Sequence, residues 1–142
     1  MKYIFSLAII LCLIMSCKTQ DRQNNIFNGK EYKHIYLFSS MANEYGKGGG
    51  KHYLSLSFHN DSVTLFNVKS RSLPNEKGEQ IVVEDIEEVF ISPYNASPNT
   101  IKIDNPILPQ LAIRGDTLIA PQINYQAERA IFKDSMFLPS ED

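Results

Sequence analysis

From Leu54 to His59 the chain alternates strictly, with Leu54, Leu56 and Phe58 on one face and Ser55, Ser57 and His59 on the other. A period of two marks a strand with one buried face. Asn60-Asp61-Ser62 supplies turn residues, and Val63 to Val68 reads as the returning strand. Thr100 to Asp104 sets Ile101 and Ile103 against Lys102 and Asp104. Leu111 to Arg114 and Thr117 to Ala120 flank Gly115-Asp116, a tight hairpin signal. Glu31 to Ser39, rich in aromatic and β-branched residues, predicts a first strand that the glycines of Gly46 to Gly50 bring to an end. Ala127 to Lys133 predicts the last.

Two stretches resist a single period. Ile81 to Ile91 fits one helical face through Val82, Val83, Ile86, Val89 and Phe90, and fits two short strands at its ends. Its β-branched content favours strands. Ser92 to Asn99 holds Pro93 and Pro98 and reads as a loop, because proline cannot donate to a ladder. Pro74 to Gly78 reads as a turn. Seven or eight short strands separated by turns predict an all-β domain, a small antiparallel barrel, with a β-sandwich as the alternative.

The N-terminus has a different pattern. Lys2 precedes an apolar run, Ile4 to Met15, then Ser16, Cys17 and the polar stretch Lys18 to Asn25. The run is shorter than the roughly 20 residues a membrane-spanning helix needs. No A-x-A-like cleavage site follows it. The segment resembles the signal peptide of bacterial lipoproteins, which ends at a lipid-modified cysteine. Ile14 and Met15 depart from that pattern, which favours Leu and a small residue there. The resemblance implies acylation of Cys17, palmitate included. It also implies a lipid-anchored place in the bacterial cell envelope, at the outer membrane on its periplasmic or surface side. It divides the chain into a signal peptide (1–16), a lipidated cysteine with a flexible tether (17–28), a barrel domain (29–138) and a loose tail (139–142).

Without residues 1–16 the chain keeps 13 basic and 16 acidic side chains, close to neutral. That excludes an electrostatic case for nucleic acid. Cys12 leaves with the signal and Cys17 is committed to lipid, so no thiol chemistry or disulfide is expected in the domain.

The order Gly29-Lys30, YLSLSFHNDSVTLF, NTIKID, LAIRGDTLIA and a final segment with Arg129 and Phe132 is similar to the small lipocalin-like lipoproteins of bacterial envelopes. Those proteins usually place Trp after the opening Gly; here Tyr32 lies nearby. The similarity implies a ligand-holding or structural envelope component, with no cofactor and no shared catalytic residue.

Candidate chemistry is sparse. His34, His52 and His59 have no short metal spacing. His52 and His59 are an odd number of residues apart on one strand, and solvent-facing positions are expected for the histidines. Glu84-Asp85 and Glu87-Glu88, with Glu79 nearby, lack the ligand spacing and glycine of a calcium loop and read as a solvated face. Arg114-Gly115-Asp116 spells an integrin-recognition tripeptide, but Gly-Asp is ordinary hairpin chemistry there. No G-x-S-x-G, phosphate loop or acid–base pair indicates an enzyme. Asp61-Ser62-Val63, Asp116-Thr117-Leu118 and Asp134-Ser135-Met136 resemble a bacterial O-glycosylation sequon, making Ser62, Thr117 and Ser135 candidate acceptors. Turn residues followed by a strand produce the same pattern.

The expectation is therefore a membrane-anchored, non-enzymatic binding module for a small apolar ligand or a protein partner. The alternative is a structural or immunity-type protein that blocks a hydrolase or toxin. Contacts are expected from Asn43 to Gly50, Ser70 to Gly78 and Ser92 to Asn99, with Tyr45, Lys47 and Tyr94 as candidate binding residues.

Overall fold

A computed structural model describes residues 26–39, 49–127, 130 and 132–140. Cys17, Tyr45 and Lys47 lie outside them. Eight antiparallel strands close into a lipocalin-like barrel in simple sequence order, with β8 returning to β1. The strands are β1 (Glu31–Ser39), β2 (Gly50–His59), β3 (Ser62–Pro74), β4 (Gln80–Ser97), β5 (Thr100–Ile103), β6 (Gln110–Arg114), β7 (Thr117–Gln122) and β8 (Lys133–Pro139). The expected all-β barrel is present.

The β2–β3 hairpin pairs Leu54 with Asn67, Leu56 with Leu65 and Phe58 with Val63. Leu54, Leu56, Leu65 and Val63 are fully buried, and Ile101, Leu111, Leu118 and Phe137 meet them from the opposite wall. The alternating residues of the sequence thus point inward, as a half-buried strand requires. One end is closed by aromatic packing. Phe27 lies 5.4 Å from Phe58, and Tyr32 and Tyr94 meet Phe58 edge-on at 5.9 and 5.0 Å. Gly29 has φ +76, a conformation other residues rarely adopt, and its amide bonds the Phe58 carbonyl at 2.8 Å. Phe27 is therefore part of the core, although the polar tether was expected to continue through residue 28.

Three further expectations change. Residues 81–97 form neither a helix nor two strands and a loop, but belong to one strand of 18 residues, Gln80–Ser97. Pro93 is accommodated where β4 leaves β3 for β5: it pairs with Ser62 at the start of β3, and its carbonyl accepts the Asp104 amide at 3.1 Å. At such a junction the missing N–H costs little. Second, the last strand is Lys133–Pro139, later than the predicted Ala127–Lys133. Ala127 is buried in irregular chain. Third, β8 runs into the stretch expected to be a loose tail: Pro139 pairs with Tyr32, and the Ser140 amide bonds the Glu31 carbonyl at 2.9 Å.

The barrel is lopsided. β5 to β7 have four to six residues, whereas β3 and β4 have 13 and 18. The β3–β4 hairpin therefore rises past the wall as a two-stranded ribbon. β1 and β8 share only two paired positions.

Candidate functional site

The half of the barrel nearer Phe27 is filled with side chains. The open half carries polar groups on inward-facing positions of β1, β3 and β4. Tyr36 Oη donates to Asn67 Oδ1 at 2.7 Å. Asn67 Nδ2 donates to Tyr125 Oη at 3.1 Å and to Glu87 Oε2 at 3.3 Å. Tyr125 Oη donates to the same Glu87 oxygen at 2.8 Å. Burial first, then the Glu87 hydrogen bond, push the Tyr125 phenol up, against a lowering by Asn67. The phenol thus stays a donor at neutral pH.

Phe132 packs into this network, edge-on to Tyr36 at 5.1 Å and stacked with Tyr125 at 6.5 Å. Tyr125 and Phe132 both come from the β7–β8 connection. That connection is also held by the Asn124 amide to the Ile107 carbonyl at 2.7 Å. Two phenols, an amide and a carboxylate form a latch that fastens a loop across the mouth.

His34 and His52 correct the solvent-facing expectation. His34 lies 5.5 Å from Phe137 and donates from Nδ1 to the Met136 carbonyl at 2.9 Å, and the half-buried His52 ring lies 6.1 Å from Tyr36. The bulge between Ile35 and Leu37 turns this part of β1. Among the described residues no three His, Cys, Asp or Glu side chains form a metal-holding group.

Tyr94 is not a binding-loop residue. It is 5% exposed and donates to the Asn60 carbonyl at 3.0 Å; burial, then the Asp61 charge, push its phenol up to about 12. Ser62, Thr117 and Ser135 each lie at or near the start of a strand. Ser62 donates to the His59 carbonyl, Thr117 donates to Asp116, and Ser135 is 3% exposed, so its hydroxyl is turned away from solvent.

The expected contact loops are shorter than the sequence suggested. Ser70 to Pro74 belong to β3 and Ser92 to Ser97 to β4. Asn43 to Gly48 lie outside the described residues. The ribbon replaces these loops as the exposed feature. Its tip is built by Asn75, whose Oδ1 accepts the Lys77 and Glu79 amides, both at 2.9 Å. Arg71 and Asp85 bridge its strands at 2.8 Å. Val82, Ile86 and Ile91 are 69%, 62% and 57% exposed on the outer face of β4, and Leu73 and Ile81 are also exposed. Below them Tyr53 donates to Glu84 at 3.0 Å, between Lys33 and Lys51. Burial and then that bond push the Tyr53 phenol up to about 12.

At the closed end an open cleft of about 320 Å3 is lined by Ile26, Phe27, Tyr32, Pro98, Ile113 and Pro139, among others. It lies where the N-terminal segment enters the domain. No protein-family profile, no curated protein and no solved structure matches the chain.

Proposed function

We propose that this is a lipid-anchored, non-enzymatic envelope protein whose barrel presents a binding surface to a protein partner. One observation carries the choice of a protein over a small apolar ligand: among the described residues, the half of the interior nearer Phe27 is filled. Ten large side chains, Phe58, Phe137 and Leu108 among them, are less than 2% exposed. The Asn67–Glu87–Tyr125 latch ties the loop across the rest. Among the described residues, the exposed apolar side chains Leu73, Ile81, Val82, Ile86 and Ile91 cluster on the β3–β4 hairpin, and an exposed apolar patch of this kind marks a partner surface.

The anchor reading rests on Cys17 and its apolar leader. Eight residues lie between Cys17 and Ile26, and a random coil of that length would span about 16 Å. The closed end then faces the bilayer and the ribbon points away from it. Native mass spectrometry of the protein isolated from its own envelope tests both parts. The expected species is the chain from Cys17 onward with acyl chains and nothing else retained. A stoichiometric small apolar ligand would overturn the protein-partner reading, and an unmodified Cys17 would overturn the anchor.

A further inference from the structure

We infer that the free edge of β4, from Gln80 to Ile91, accepts an extended basic segment of a partner protein as an added strand. The inference rests on the protein-partner reading and specifies its mode. β4 has 18 residues, but β5 pairs only with Tyr94 to Ser97. From Gln80 to Pro93 the ladder partner of β4 among the described residues is β3. One side of a long strand therefore keeps its backbone donors and acceptors available in the plane of the sheet. Such an edge pairs with other strands unless it is blunted by lysine, proline, a bulge or a covering segment; the register shift at Val89 comes near its end and leaves Gln80 to Glu88 in regular register. Before Pro93 this one has no proline, and there is no lysine or arginine between Gly78 and Ile101.

Charge selects the occupant. The same stretch carries Glu79, Glu84, Asp85, Glu87 and Glu88, with no histidine. A second copy pairing antiparallel about Ile86 would set Glu84 against Glu88 and Asp85 against Glu87. Like charges directly opposite one another are destabilising. A strand with Lys or Arg in its centre meets the exposed Glu84 and Glu88 favourably, while Asp85 is already bridged to Arg71 and Glu87 is held in the latch. Apolar residues toward its ends lie beside Ile81, Val82 and Ile91, all exposed. Backbone pairing would give affinity, and the acid–base register would give specificity, as in other strand-addition complexes.

The test uses the full processed chain in detergent and a labelled peptide, Val-Thr-Val-Arg-Lys-Thr-Arg-Lys-Val-Thr-Val. Binding is read by fluorescence anisotropy and by hydrogen exchange over Gln80 to Ile91. The inference expects saturable binding, slower exchange in that segment, and at least about tenfold weaker binding of a peptide with every basic residue changed to Glu. A peptide that keeps all four basic residues but has its three threonines replaced by proline should also bind at least about tenfold more weakly. Val82→Lys and Ile86→Lys, both at exposed positions, should weaken binding while leaving the urea midpoint unchanged. If the proline peptide binds equally and exchange is unaltered, the contact is charge alone and the strand is refuted. Absence of binding to the basic peptide refutes it as well. Neither result bears on a retained ligand, so failure of the edge and failure of the protein-partner reading remain distinguishable.

Discussion

Tyr94 and Tyr53 show how much a single side chain's surroundings matter. Both phenols hold their protons up to about 12 in the folded chain and would lose them near 10 when unfolded. Their contribution to stability is complete below pH 10 and is lost as pH rises through the 10 to 12 window. Urea midpoints at about pH 9 and about pH 11 should therefore differ, with the alkaline one lower, and Tyr94→Phe should reduce the difference. Leu56 is fully buried between β1 and β3, so Leu56→Ala should cost about 2–5 kcal/mol in urea melts. The inward role of Leu54, Leu56 and Phe58 was legible in the sequence, because alternation reports a face directly. That of His34, His52 and Tyr94 was not. Whether a polar aromatic residue points inward depends on partners far away in the chain, here Met136, Tyr36 and Asn60.

At the scale of elements, hairpins with Asn-Asp and Gly-Asp turns could be read locally, since Gly115 supplies the positive φ its turn requires. The β3–β4 ribbon could not. A strand in a barrel wall has one wet and one dry face, and its sequence alternates. Beyond the wall both faces of Ile81 to Glu88 meet solvent, so the contrast between alternate positions disappears and a helical period fits equally well. The visible signal was the absence of any basic residue over a long β-branched stretch. The ribbon also stands apart from the core. Val82→Lys should change stability by no more than about 0.5 kcal/mol, whereas Asn75→Ala should speed amide exchange at Lys77 and Glu79 by removing their acceptor.

For the whole molecule, the proposed anchor and the fold can be tested separately. Under the proposed anchor, Cys17→Ser should abolish acylation and removal of the apolar leader while the circular-dichroism spectrum stays that of a β-barrel. A processed Cys17→Ser protein that remained in detergent-extracted membranes would remove the lipid anchor from the account. The barrel type and its closure followed from strand count, turn spacing and the need to remove exposed edges; the shortness of the closing seam did not, because β1 and β8 meet from opposite ends of the domain. Two register pairs, Tyr32 with Pro139 and Lys33 with Leu138, join there, helped by the Ser140 amide on the Glu31 carbonyl and the His34 ring on the Met136 carbonyl, and Phe137 fills the core behind them. This seam fixes an order of events in time. The first strand to leave the ribosome must wait for the last, so a chain halted before Phe137 is an open sheet with two raw margins. The interval between those two arrivals is when the chain is most exposed to aggregation and to proteases.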